Sequence, residues 1–388
     1  MPLHPNNVLL IDTLQALPLL DGRFANLKVV NCNVATGEKR GCFSIVFRAD
    51  DTIEGKPVAL KFFDLNPSAI SDVYRRTAFE RESKILQTLL TRERCLQLVK
   101  AESHYILNFP GGFALPCSYF AVEWLDEEVD EYFLGKSLIP SADKLRLFID
   151  ILLAIEALHG RDVFHRDIKA DNIRAVRRAV RRIVVAIDLG TAARLDSPPI
   201  GVPYAHAVGA PAYAAAESIC GLAGNRTLAP LTDHYALGCL LFELFNRDFF
   251  FVAVQTLNPS LHARYSAIAL GVTEKTDPLK QIAQLKEGLK HYARGVAPVS
   301  IDGVGSTCDP ATAGLLNDVL ARLTHIDYRE RDVKLEWVRQ RIGCAVRVLE
   351  NEKAYQLKLR ASRERKAKRI QRALELDARI RNRQLSIH

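Results

Sequence analysis

The pattern of apolar and polar positions changes character about a third of the way along the chain. Segments 28–35, 42–50 and 56–63 are short runs rich in β-branched and aromatic residues, separated by glycine and charged turns, which is the pattern of strands. The stretch 78–90, AFERESKILQTLL, then switches to helical spacing and puts Phe79, Ile85, Leu86, Leu89 and Leu90 roughly on one side. Two further strands are expected at 105–109 and 118–125, around the turn PGGFALP. From about residue 140 helical spacing dominates, most clearly in 142–159, 234–245, 277–293 and 312–323. A strand-rich first part and a helix-rich second part predict an α+β fold of two lobes, joined near residues 123–130. Residues 1–30 read as an N-terminal extension carrying one short amphipathic helix.

Composition narrows the class. The chain has 388 residues, 48% of them apolar and 25% charged, which is globular and large enough for two packed lobes. Eight cysteines are scattered with no C-x-x-C pair, which argues against a zinc ribbon or a disulfide scaffold and fits a reducing, cytoplasmic setting. There is no apolar run of about 18 residues, so no membrane span is expected. No Lys or Arg precedes the first apolar stretch, which makes it a poor signal peptide.

The net charge of +8 has a location. Residues 347–388 contain thirteen Lys/Arg and five Asp/Glu, leaving forty of each sign in the body. Within this segment, ASRERKAKRIQRALELDARIRNRQ is rich in helix formers and has no Gly or Pro. Ile370, Leu374, Leu376 and Ile380 give only a partial apolar stripe. A largely solvated basic helical tail is expected, open to an anionic partner: nucleic acid, a membrane surface or an acidic protein.

Candidate chemistry lies between residues 37 and 233. Gly41-Cys42-Phe43-Ser44-Ile45-Val46 sits between strands, where glycine lets backbone amides approach a phosphate. Lys61 lies in the apolar strand segment Val58-Ala59-Leu60-Lys61 and needs a carboxylate partner, for which Glu82 and Glu80 on the following helix both qualify. His165-Arg166-Asp167-Ile168-Lys169-Ala170-Asp171-Asn172 is a strongly polar loop beside core-forming segments. Asp188-Leu189-Gly190 ends the strand RRIVVAID, and a carboxylate there suits a hard cation such as magnesium.

Together these segments resemble the eukaryotic-type Ser/Thr protein kinase family. The motifs stand in that family's order: the glycine-loop remnant, VALK, RESKIL, HRDIKADN, DLG, GAPAYAAAE at 209–217, DHYALGCLLFEL at 233–244 and LLNDVLARLTHIDYRERDV. The resemblance covers roughly residues 35–335. It implies a bilobal kinase-like fold with an N-lobe at 31–125, a C-lobe at 126–346 and a tail at 347–388. It implies transfer of the ATP γ-phosphate to protein hydroxyls with Mg²⁺. Gly41 and Ser44 would lie over the phosphates, and Val46 and Ala59 against the adenine. Lys61 would hold phosphate and pair with Glu82. Glu123 and Leu125 would form the hinge behind the gatekeeper Val122. Asp167 would act as catalytic base and Lys169 would steady the phosphoryl group. Asn172 and Asp188 would ligate the metal. Lys169 favours Ser/Thr over Tyr, and His165 and Leu189 look structural.

The sequence also departs from that pattern. Lys39 and Ser44 replace the first and third glycines of the loop. Ala210 stands where a threonine usually contacts the catalytic Asp and Lys. His206 lies near the usual activating phosphosite, leaving Thr191, Ser197 and Tyr204 as the hydroxyls of that loop, so activation by the usual loop phosphorylation is not expected. A weakly catalytic kinase-fold scaffold and a small-molecule kinase are the alternative readings. The protein substrate is not specified by any motif.

Overall fold

The computed structural model describes residues 2–41, 44–194 and 209–385. The first part of the chain builds helix α1 (Pro5–Ala16), strands β1 (Phe24–Val29), β2 (Cys32–Asn33), β3 (Glu38–Lys39), β4 (Ser44–Asp51) and β5 (Lys56–Phe63), helices α2 (Pro67–Ser71) and α3 (Val73–Thr88), and strands β6 (Leu98–Asn108) and β7 (Ala114–Glu123). Five of these strands form one antiparallel sheet in the order β1-β4-β5-β7-β6.

Period-two alternation divides this sheet into two faces. Ile45, Phe47, Val58, Leu60, Phe62, Tyr119 and Ala121 form one core on the outer face. Leu10, Ile11 and Leu14 of α1, each fully buried, cover it. The opposite face carries Val46, Ala59, Lys61, Phe120 and Val122, with Val46 opposite Lys61 and Ala59 opposite Val122. Helix α3 packs on that side, where Phe79 meets Phe63 and Phe120 at ring-centroid distances of 5.4 and 5.1 Å.

After the crossover come β8 (Glu127–Glu128), α4 (Ser141–His159), β9 (Val163–Phe164), β10 (Ile173–Arg178), β11 (Arg181–Ala186), β12 (Ala193–Arg194), α5 (Ala216–Ile219), α6 (Ala229–Glu243), α7 (Phe250–Leu257), α8 (Leu261–Thr273), α9 (Pro278–Tyr292), α10 (Pro310–Leu323), α11 (Leu335–Glu350) and α12 (Glu352–Leu385). Helix α6 is buried nearly all round, which is why its sequence LTDHYALGCLLFE shows no polar face. Strand β10 pairs with β11 and β8, and β9 pairs with β12, so the polar loop 165–172 leaves one small sheet and enters another.

Three expectations change. The strand expected at 28–35 is displaced to Phe24–Val29, and residues 32–39 instead form the small β2–β3 hairpin. The 1–30 segment is expected as an extension, yet α1 and β1 supply part of the first lobe's core, because three buried side chains of α1 close the sheet's outer face. The tail is expected from 347, yet Val346 and Val348 are buried in α11 and Glu350 pairs with Arg146 of α4. The exposed helix therefore begins after Asn351. Among the described residues no helix is long and apolar enough to cross a membrane.

Ile11→Ala removes a fully buried side chain from the outer-face core. A loss of about 2–5 kcal/mol in urea unfolding is expected; an unchanged midpoint would make α1 a dispensable attachment.

Candidate active site

Lys61 is the first convergence point. Its Nζ lies 2.8 Å from both carboxylate oxygens of Glu82 and 3.2 Å from Asp188 Oδ1. Glu82 is 2% exposed whereas Glu80 faces solvent, so the phase of α3 settles the choice between them. Burial alone would lower the Lys61 pKa, but Asp188 and Glu82 outweigh it and hold it above its ordinary value. Lys61 in turn holds the Asp188 carboxyl below the usual carboxylate range. The Leu189 N–H donates to Glu82 Oε1 at 3.2 Å, which ties the DLG segment to α3. Asp188 has φ +62°, a left-handed conformation that aspartate tolerates better than most residues. Its side chain is 42% exposed, so the carboxylate that pairs with Lys61 also faces the cleft.

Asp167 is the second convergence point. Its Oδ2 accepts from Lys169 Nζ at 2.9 Å and Asn172 Nδ2 at 3.0 Å. Its Oδ1 accepts from the Ala210 N–H at 2.7 Å. The donor expected from a threonine hydroxyl at position 210 is thus supplied by backbone. Gly209 makes this approach possible: it has φ +89°, and a Cβ there would stand 2.3 Å from the Arg166 carbonyl. Asn172 Nδ2 also donates to the Asp167 carbonyl at 2.8 Å, which leaves its Oδ1 available to a cation. Burial would lower the Lys169 pKa, but Asp167 and then Asp188 raise it, so Lys169 links the two convergence points electrostatically.

The loop bearing Asp167 is anchored from below. Asp233 of α6 is fully buried and accepts from His165 N at 2.8 Å and Arg166 N at 2.7 Å, with His159 Nε2 at 2.9 Å. Arg166 has φ +63°, and its Nε donates to the Thr191 carbonyl at 2.7 Å. The Thr191 hydroxyl donates to the His165 carbonyl at 3.1 Å in a buried position. Ser197, Tyr204 and His206 lie outside the described residues. Glu217 and Arg331, both with fully buried side chains, form an ion pair beneath the segment 209–217. Tyr213 donates to Glu243 Oε2 at 2.7 Å, and burial pushes the Glu243 carboxyl up to about 7.

The loop above the cleft is built differently from a flexible glycine loop. Asn31 bridges its stems: Nδ2 donates to the carbonyls of Arg40 and Ser44 at 3.0 and 2.9 Å, and Oδ1 accepts from Val46 N at 2.8 Å. Lys39 turns away from the cleft into a buried ion pair with Asp64, their side chains 2% and 5% exposed. Asp64 also accepts from Asn7 Nδ2 at 2.6 Å and Asn66 N at 2.9 Å. The Leu3 N–H donates to the Gly37 carbonyl at 2.7 Å, so α1 and its leading residues clamp the hairpin that leads into Gly41. Gly41 has φ +82° and a Cβ there would meet nothing within 4 Å, so backbone conformation and not space selects glycine. Cys42 and Phe43 lie outside the described residues, and Ser44 is buried at the stem of β4.

The remaining expected positions are arranged around these groups. Val46 and Ala59 are half-buried on the sheet's cleft face. The Glu123 N–H donates to the Gln97 carbonyl at 3.0 Å, and its side chain pairs with Arg178, away from that face. Leu125 follows at the lobe junction, with Val122 buried behind it. Asn31, Asn7 and Asp64 carry structural weight that no motif announces, because their partners are distant in sequence or are backbone atoms.

The protein kinase domain model matches residues 38–331. The chain belongs to the protein kinase family. Its five-stranded and helical parts are the two lobes of that family's fold, and Lys61, Glu82, Asp167, Asn172 and Asp188 converge at the cleft between them. Similar proteins include a probable serine/threonine-protein kinase 2 of Plasmodium falciparum, 26% identical over 57% of this chain and 38% of that one. A probable serine/threonine-protein kinase of Streptomyces coelicolor is 28% identical over 53% of this chain and 28% of its own. The serine/threonine-protein kinase Pkn1 of Myxococcus xanthus is 27% identical, with shares of 53% and 27%. The chain thus spans well under half the length of these relatives. The family match leaves out α1, β1, β2, α11 and α12.

Lys39→Met strands the buried Asp64 carboxylate and is expected to cost about 3–5 kcal/mol in urea unfolding at neutral pH. Adding Asp64→Asn removes the charge, keeps the acceptor for Asn7 and should recover most of that loss. Lys39, Asn7 and the Asn66 amide outweigh burial and depress the Asp64 pKa. The stability it contributes is therefore present above the ordinary carboxylate range and fades as pH falls below about 4. The gap between wild type and the double variant should narrow there; a pH-independent gap would remove Asp64 as its source.

Proposed function

We propose that this kinase transfers the γ-phosphate of ATP to serine or threonine hydroxyls of a protein. The observation that carries the reading is the Asp167 carboxylate, held by Ala210 N–H, Lys169 and Asn172 beside the Lys61–Glu82–Asp188 cluster. The adenine lies between Val46 and Ala59 of the first lobe and the floor of the second, and meets the backbone of Glu123 and Leu125. Lys61, oriented by Glu82, binds the α- and β-phosphates. Asn172 Oδ1 and the Asp188 carboxylate are hard oxygen donors that fit Mg²⁺, which supplies neutralisation of phosphate charge when bound.

In the transfer, the substrate hydroxyl oxygen bonds to the γ-phosphorus and gives its proton to Asp167. The bond from the γ-phosphorus to the β,γ-bridging oxygen breaks with its electron pair, and ADP leaves. Lys169 offsets the charge on the transferring group. Such chemistry needs mainly positioning and preset charge, which the two connected clusters provide. The serine/threonine preference is supported by Lys169 and by the names of the similar proteins. The backbone donor at Ala210 supports the active reading over a silent scaffold.

The test is transfer of labelled γ-phosphate from ATP with Mg²⁺ to a generic protein substrate. Asp167→Asn should lower turnover by about 10²–10⁴-fold while ATP still raises the melting temperature. Label on serine and threonine in wild type alone is the expected result. Equal labelling by both proteins would remove Asp167 from the base role, and label on small amines or sugars only would overturn the protein-kinase reading.

A further inference from the structure

We infer that helix α12 is a nucleic-acid-binding arm that grips the phosphate backbone of a duplex without reading its sequence. The helix has 34 residues, about 51 Å at the α-helical rise. Lys358, Arg365, Arg369 and Arg372 recur at intervals of seven, four and three, which aligns them on one face, and Lys366 and Lys368 flank that line. All six are exposed, and among the described residues none has an ion-pair partner. Arg365–Arg369 and Lys368–Arg372 are like-charge pairs one turn apart, an arrangement that destabilises a free helix. A polyanion along that face offsets that repulsion with attraction.

The arrangement favours nucleic acid over a membrane surface. A helix that lies in a bilayer interface needs a broad apolar face. Here the apolar positions make only a narrow strip: Leu359 and Ile370 share one side of the helix, and the exposed Leu357 falls on another. The basic line from Lys358 to Arg372 runs about 21 Å. The major groove of B-form DNA admits one α-helix and lines it with phosphates on both walls, which suits a helix with a basic centre and basic flanks. The arm begins after Asn351 and the body's core ends in α11, so binding uses no cleft residue.

The test is fluorescence anisotropy of a labelled DNA duplex of about 20 base pairs titrated with the full-length protein. With about five phosphates engaged, affinity should fall about 500-fold between about 50 and 200 mM salt. The full-length Arg365→Glu/Arg369→Glu/Arg372→Glu variant should bind about tenfold or more weakly, with an unchanged melting temperature. An RNA duplex, whose major groove is deep and narrow, should bind more weakly than DNA. No binding at about 50 mM salt, equal binding by the triple variant, or capture by phosphatidylserine vesicles with none by the duplex would each overturn the inference.

Discussion

The geometry of the cleft depends on one buried carboxylate. Asp233 sits in the N-terminal half of α6 with no solvent exposure and collects His159 and the amides of His165 and Arg166. Burial would raise its pKa, but those partners outweigh it and hold it below the ordinary value. An ionised, fully engaged Asp233 can hold Arg166 at φ +63°, a backbone state that costs on the order of 1–3 kcal/mol. That left-handed residue redirects the chain so that the next one, Asp167, meets Lys169, Asn172 and Ala210. Removing the buried anchor would release the strain and with it the direction of the Asp167 side chain.

The same economy appears where the sequence departs from the family pattern. Ala210 has no hydroxyl, yet its amide reaches Asp167 because Gly209 allows backbone to pass against the Arg166 carbonyl. Lys39 replaces a glycine, yet its side chain turns inward to Asp64 and joins the loop hairpin to α1. The Arg166 Nε donates to the Thr191 carbonyl and the Thr191 hydroxyl to the His165 carbonyl, so both side chains have partners among the described residues. The departures at Ala210 and Lys39 are met by a backbone donor and by a buried partner, and the two charged clusters stand formed among the described residues.

What was legible in the sequence follows from the range of the interactions. The strand-to-helix switch was legible because hydrophobic periodicity is local, and the polar run at 165–172 stood out because such a run beside apolar segments needs a purpose. The residue pattern alone left Glu80 open as a rival to Glu82, which the family resemblance favoured: both lie on α3, and the packing of Phe79 against Phe63 and Phe120 sets the helix phase that buries Glu82. Asn7 and Lys39 were opaque because their shared partner Asp64 is 57 and 25 residues away. The burial of α1 was hidden for a similar reason, since a short amphipathic segment does not reveal which sheet face it closes. The tail's start was misplaced because charge rises from Arg347, whereas burial continues through Val348.

A catalytic cleft whose charged groups find their partners among the described residues should work without phosphate on the chain. The most direct measurement is the initial rate of phosphoryl transfer, taken from the first turnovers, by protein stripped with a phosphatase and shown phosphate-free by intact mass. A rate equal to that of untreated protein, with no lag, is the expected result. A stripped protein that stays inactive until phosphate is incorporated into its own chain would contradict it.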